Sequence, residues 1–452
     1  MTSSHPPAIE TLVSSEKMYS EIEGLGRPAV TDHVRAVIET LRQEIGPGQA
    51  WPTTDQIIER VKSRISANAR QFPQRVINAT GVLLHTNLGR APWSQELVDG
   101  ISARLTSYNS LEFDLIGGAR GKRGIAAEQE LAQLAGAESA MIVNNNAAAI
   151  YLVLTALAWN REVIISRGEL VQIGGGFRIP EILAKSGAIL REVGTTNQTN
   201  ANDYDKACGP QTAMILKVHR SNFVQTGFVS EVEPRALAEV GKKRGVPVVW
   251  DVGSGGVGPG SVCEFSGEPT LRATVATGVD LVTSSGDKLF GGPQAGIVLG
   301  RADLIAKLKS DPFYRALRPD KSALLAMEFT VKAHRAGRAA ELIPLYQLLA
   351  VPADQLRARA DAIAKHVTSP DMKVTVVETQ DTFGGGFAFG KTIAGWGVRV
   401  ETAKPDDLAK RARDSDPPII ATVADNGVVF SLRTMFATDD SILTSFINTQ
   451  AS

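Results

Sequence analysis

Apolar residues near the start of the chain recur at helical spacing. Val34, Val37, Ile38, Leu41 and Ile45 trace one face of a helix that the pattern opens at an Asp32 cap and closes at Gly46-Pro47-Gly48. Thr53-Thr54-Asp55-Gln56 then has the form of a capping box, a hydroxyl and an amide side chain satisfying free backbone amides, ahead of the stripe Ile57, Ile58, Val61 and Ile65. Together these predict a small helical domain over residues 1–72.

From there the pattern changes to short apolar runs separated by amphipathic stretches. Runs at 140–143, 163–165, 189–193, 214–218, 248–250, 281–283 and 296–299 read as buried strands joined by covering helices, hence an α/β core domain over 73–330 with a mostly parallel sheet. In such sheets ligands gather at the carboxyl ends of the strands, which directs attention to the residues that follow each run. After Lys321 a helix bearing Leu324, Leu325, Met327 and Val331 leads into residues 331–452, read as a linker helix and a small α/β domain with strands at 374–377, 385–389, 398–400 and 428–432 and a helix at 406–413.

Composition adds exclusions. Hydrophobic residues at 43% and charged residues at 21% are globular values. Lys plus Arg and Asp plus Glu number 48 each, so any nucleic-acid site must be a local patch rather than a global field. Cys208 and Cys263 are too few for a disulfide framework and lack metal-ligand spacing, which predicts free thiols and no metal site. The N-terminus has neither the basic start nor the apolar core of a signal peptide, and the stretch 147–158 is too short to cross a bilayer, so a cytoplasmic location is expected.

The sharpest chemical feature is Thr283-Ser284-Ser285-Gly286-Asp287-Lys288-Leu289-Phe290-Gly291-Gly292, a lysine in a turn straight after a buried run. Partial desolvation lowers a lysine pKa in the direction an imine-forming amine needs, although a lysine in a Gly-rich turn can equally be a solvated surface group. Asp251, ending the run Val248-Val249-Trp250, could hold a pyridine nitrogen protonated, or serve as a metal ligand or helix cap. Asn144-Asn145-Asn146-Ala147-Ala148-Ala149 opens an Ala-rich helix where a phosphate could sit, with Ser285 adding a hydroxyl; plain capping explains the asparagines as well. His219 and Asn222 follow the run 214–218, near a pyridoxal ring oxygen on this reading or structural otherwise. Arg90, Arg315 and Arg318 offer guanidinium forks for an anion, or ion-pair partners for the protein.

Taken together, the motifs resemble bacterial selenocysteine synthases, the L-seryl-tRNA(Sec) selenium transferases. The resemblance rests on 75–81 through Leu88-Gly89-Arg90, the Asn144 run, Ser166-Arg167-Gly168-Glu169-Leu170, Val193-Gly194-Thr195-Thr196-Asn197, 284–296 and 315–321, and extends to Leu432-Arg433-Thr434. It implies a fold-type-I pyridoxal 5'-phosphate (PLP) transferase whose catalytic residues are Lys288, which carries the Schiff base, and Asp287. Asp251, Asn145, Asn146, Ala147, Ser285, Asn222 and His219 are then expected to bind PLP. Arg90, Thr195, Thr196, Arg315 and Arg318 are expected to bind substrate. The implied reaction turns seryl-tRNA(Sec) into selenocysteinyl-tRNA(Sec) by way of a dehydroalanyl-tRNA, with selenophosphate as donor. A tRNA-engaging N-terminal domain and a homo-oligomer, a decamer built as a pentamer of dimers, are implied too.

Departures from the family pattern fall near the substrate: Gln198 where arginine is common, Gln172 for glutamate, Arg220 for threonine and Gly124 for tyrosine. The alternatives are a relative acting on a small amino acid or amino sugar phosphate, and a non-catalytic PLP or tRNA-binding protein. The basic residues Arg60, Lys62, Arg64 and Arg70 near the end of the N-terminal segment favour tRNA, but nine acidic against eight basic side chains over residues 1–70 leave no net positive field.

Overall fold

The computed structural model describes residues 5–46, 49–173, 176–257, 268–369, 372–424 and 426–450. Cys263, Pro47 and Gly48 lie outside the described residues; Cys208 is a free, half-buried thiol. The chain forms two compact units, Met1–Val76 and Ile77–Ser452.

The first unit is helical: Ile9–Val13, Tyr19–Leu25, Arg27–Glu44 and Thr54–Ala69. Leu12, Val34, Ile38, Leu41, Ile57 and Val61 are its buried centre. The capping box forms as expected, Thr53 N–H donating to Gln56 Oε1 at 2.9 Å and Gln56 N–H to Thr53 Oγ1 at 3.3 Å. The preceding helix starts five residues before the expected Asp32 cap, at Arg27, because Gly26 (φ +82°) turns the chain and Pro28 fits the first helical turn; Asp32 instead pairs with Arg35 one turn on. Arg60 and Lys62 are neutralised by Glu44 and Glu21, which shrinks the basic cluster read from the sequence.

The second unit is built on a seven-stranded sheet. Its strands are β1 (Ser139–Val143), β2 (Glu162–Ser166), β3 (Ile189–Val193), β4 (Thr212–Val218), β5 (Val248–Gly253), β6 (Leu281–Ser285) and β7 (Gly296–Gly300), in the spatial order β1-β7-β6-β5-β4-β2-β3. Only β7 runs against its neighbours. All seven contain the apolar runs expected as strands. Both faces are covered, so successive residues enter opposite cores: Val248, Trp250 and Val252 one, Val249 the other.

A second sheet combines β8 (Lys373–Gly384), β9 (Thr392–Glu401), β10 (Ile419–Ala424) and β11 (Gly427–Ser431) with the short strands Ile77–Ala79 and Val82–Leu84 at its two edges. The expected strand at 385–389 is a turn instead. Gly385, Gly386 and Ala388 all adopt positive φ, which a strand cannot accommodate. The helix expected near 406–413 spans Pro405–Asp414, and the one after Lys321 spans Lys321–Arg335 with Asp320 accepting from Ala323 N–H. Among the described residues no helix is long and apolar enough to cross a membrane.

Candidate active site

The carboxyl ends of the central strands converge on Lys288. β6 runs straight into its turn, which is tied down by Gly286 N–H donating to Ala295 O (2.8 Å), Leu289 N–H to Ser254 O (2.9 Å) and Gly291 N–H to Lys288 O (2.8 Å). Lys288 is only 8% exposed. Burial first, then the Arg90 guanidinium, push its ammonium pKa below the usual lysine value, against the pull of Asp251, Asp287 and Glu268. The shift is toward the neutral amine that attacks a carbonyl.

Asp251 lies on the neighbouring strand β5, two residues before its end, and is buried. One carboxylate oxygen accepts from Asn146 Nδ2 (2.8 Å) and Thr283 Oγ1 (2.9 Å), while burial raises its pKa against those hydrogen bonds. Between Asp251 and Gly253 the register with β6 slips, a bulge of the kind that re-aims side chains beside functional sites. Gly253 has φ +73°, and a side-chain carbon there would stand 4.0 Å from Lys288 Nζ, so glycine keeps the space before the amine open.

The asparagine run splits its tasks. Asn145 caps the helix Asn146–Ala158, its Oδ1 accepting from Ala148 N–H at 2.9 Å, so the plain capping reading holds for that side chain. Asn146 reaches Asp251 and leaves its buried Oδ1 without a protein partner. Ser284 Oγ is another buried polar atom without one. His219 N–H donates to Asp251 O (2.9 Å), and its Nε2 lies 3.0 Å from Glu268 Oε2. Asn222 Nδ2 donates to the Gln172 carbonyl (2.8 Å), leaving Oδ1 buried without a partner. Ser285, at the end of β6, is buried.

Arg90 and Asp287 complete the cluster. Arg90 NH1 meets Asp287 Oδ2 at 2.5 Å, and Arg90 holds a left-handed backbone (φ 60°), strain of a kind that collects at functional sites. The other expected substrate residues stand apart. Thr195 and Thr196 follow the edge strand β3, four strand spacings from β6, which puts them about 19 Å from the Lys288 turn. Thr195 Oγ1 is engaged in its own turn, accepting from Gln198 N–H at 3.2 Å. Arg318 lies over the Tyr314 ring, 5.5 Å from its centroid, and lines a cavity of about 560 Å³ with Arg120, Lys122, Arg123 and Lys309; Arg315 is exposed nearby in the segment Pro312–Leu317. Within one chain the residues expected at the substrate therefore fall in distinct clusters.

Two further positions are explained. Gly124 opens the helix Ile125–Ala135 with φ +70°, and a side-chain carbon would press to 3.0 Å of Leu324, so a tyrosine does not suit it. Arg220 is drawn to Glu231 (3.2 Å). Glu268, buried beside His219 and accepting from Ala388 N–H at 3.0 Å, was not found from the sequence: it sits in no strand and no spaced motif. Its carboxyl pKa is lowered: burial raises it, and the contacts from His219, Ala388 N–H and Ser254 together outweigh that.

A buried lysine of lowered pKa, a buried carboxylate hydrogen-bonded to the asparagine that opens the helix Asn146–Ala158, and buried polar atoms without protein partners on Asn146, Ser284 and Asn222 fit PLP. Sheet and site define a fold-type-I PLP-dependent enzyme. A solved D-glucosaminate-6-phosphate ammonia-lyase shares the fold, with a TM-score of 0.60 and 20% identity over 85% of this chain and 98% of that one. The L-seryl-tRNA selenium transferase family model matches residues 76–436, and the chain belongs to that family. An L-seryl-tRNA(Sec) selenium transferase of Aquifex aeolicus (strain VF5) is 42% identical over 430 residues, 94% of this chain and 93% of that one. One of Moorella thermoacetica is 42% identical over 437 residues, covering 95% and 93%.

Proposed function

We propose that this protein converts L-seryl-tRNA(Sec) to L-selenocysteinyl-tRNA(Sec) with selenophosphate. The observation that carries the reading is the buried Lys288 amine beside Asp251 in a chain of this family. Lys288, Asp251, Asn146, His219, Asn222 and Ser285 would hold PLP, with Asn145 and Ala147 shaping the helix end beside them. When bound, PLP supplies a carbonyl for amine linkage and an electron sink for the charge left when the seryl Cα loses its proton.

The chain's own residues then have separable tasks. Lys288 Nζ, whose pKa burial pushes below the usual lysine value, would be the nucleophile that anchors the cofactor and the base that takes the Cα proton. Asp251, held by Asn146 and Thr283, keeps a proton on the ring nitrogen. Arg90, braced by Asp287, presents its guanidinium to the anionic donor beside the amine. Over the whole reaction the seryl hydroxyl is replaced by a selenol; the water lost is matched by the water that cleaves the selenium–phosphorus bond, releasing phosphate.

Residues 1–72 are assigned to tRNA contact, 73–330 to PLP binding and 331–452 to the linker and C-terminal domain. Arg318, with the basic cavity that it lines, and the exposed Arg315 nearby are assigned to anion binding outside the Lys288 cluster; Thr195 and Thr196 are left outside the catalytic assignment. A homo-oligomer, as expected for the family a decamer, belongs to the same reading. It is supported by Leu115 and Ile116, 76% and 100% exposed at the tip of the hairpin formed by Phe113–Asp114 and Ala119–Arg120. A cytoplasmic location accompanies a tRNA substrate.

The test supplies the PLP-loaded protein with selenophosphate and either seryl-tRNA(Sec) or free serine, then identifies the amino acid released. Selenocysteine from the tRNA alone is expected. Turnover of free serine or of an amino sugar phosphate, with the tRNA untouched, would make the small-substrate enzyme the correct reading.

A further inference from the structure

The turn that carries Lys288 continues as Leu289 and Phe290, whose carbonyls face the interior rather than the sheet. Each meets a side-chain donor from the helical segment that follows the core. Tyr346, on the helix Pro344–Ala350, donates its hydroxyl to Leu289 O at 2.9 Å. His334, on the helix Lys321–Arg335, has Nε2 2.8 Å from Phe290 O. A carbonyl only accepts, so Nε2 carries the hydrogen. The His334 ring is wedged between Phe290 and Tyr346, with centroids 5.0 Å and 5.2 Å away. Gly291 closes the grip: at φ +72°, any side chain would strike Ile343, the residue that leads into the Tyr346 helix.

We propose that His334 and Tyr346 are positioning residues that clamp the Lys288 turn from behind and so fix the direction in which its amine meets the cofactor. Neither residue touches the amine. They act through two successive backbone carbonyls, and the clamp ties the catalytic turn to the helices that lead into the C-terminal domain. Burial holds the His334 pKa down to about 4, which keeps the ring neutral and its donor geometry constant across the working pH range. The inference rests on the reading of Lys288 as the PLP lysine.

The experiment uses the full PLP-loaded chain and records the visible absorption band of the lysine–cofactor linkage against pH, together with the rate of PLP release and the melting temperature. Tyr346→Phe and His334→Phe keep the rings and remove the donors. Each is expected to move the pH midpoint of the band by about half a unit or more and to speed PLP release several-fold. His334→Gln, which retains an N–H, should stay near the parent. Melting temperatures that fall while midpoint and release rate hold would reduce the pair to structural packing and overturn the proposal. If His334→Phe does not fold, Tyr346→Phe decides alone, since it loses one oxygen. A parent protein with no band that Lys288→Ala abolishes would instead overturn the assignment of Lys288, and the clamp with it.

Discussion

Asp251 and His334 show how burial sets a residue's task. Asp251 gains a proton more readily than an exposed carboxylate because the interior disfavours its charge, and the hydrogen bonds from Asn146 and Thr283 offset that only in part. Asp251→Asn should leave PLP attached to Lys288 yet lower kcat by about a hundredfold or more, since an amide cannot hold a ring proton in place; steady-state kinetics beside the absorption spectrum separate the two effects. For His334 the folded pKa lies near 4 against an ordinary 6.5. Between those values the unfolded chain binds a proton that the folded chain does not, so stability is level above pH 6.5 and falls as pH drops toward 4. From those two pKa values the loss at pH 5 is about 2 kcal/mol. Urea unfolding at pH 8 and pH 5 should show that loss in the parent and a smaller one in His334→Gln.

At the scale of elements, the end of β4 depends on a buried ion pair. Lys217 Nζ meets Glu169 Oε1 at 2.9 Å, and Glu169 Oε2 accepts from Val218 N–H at 3.0 Å, one residue before His219. Both side chains are buried, and burial raises the Glu169 pKa in spite of Lys217. Removing one partner leaves a stranded acid, so Lys217→Met should cost about 3–5 kcal/mol in denaturant unfolding, and adding Glu169→Gln should recover part of it. Individual strands of this sheet were legible in the sequence because β-rich apolar runs such as 281–283 and 248–250 are buried on both faces. Their order was not: nothing local tells β1 to sit beside β7 or sends Thr195 to the far edge. The turn at 385–389 misled because its phenylalanines alternate like a strand while its glycines take left-handed geometry. The strand Ile419–Ala424 went unseen, being short, half-buried and preceded by Pro417-Pro418. Asp251 was readable because it directly follows an apolar run and Lys288 because it stands in the turn after one, whereas Glu268, His334 and Tyr346 reach the site only through tertiary packing.

At the scale of the whole molecule, residues 1–76 have their own buried core and capping box, and residues 77–452 contain the lysine, the carboxylate and both sheets. Deleting 1–76 should therefore leave the lysine–cofactor absorption band intact while weakening seryl-tRNA(Sec) binding by about tenfold or more, measured by filter binding. An unchanged affinity would remove the tRNA role from the N-terminal unit. The account as a whole stands on Lys288, and a single-turnover reaction tests it most directly: purified protein loaded with PLP, seryl-tRNA(Sec) and selenophosphate, with the aminoacyl group stripped from the tRNA and identified, beside the Lys288→Ala variant. Selenocysteine formed by the parent and absent from the variant is the predicted result; selenocysteine formed equally by both, or seryl-tRNA left unchanged by a parent that has bound PLP, would contradict it.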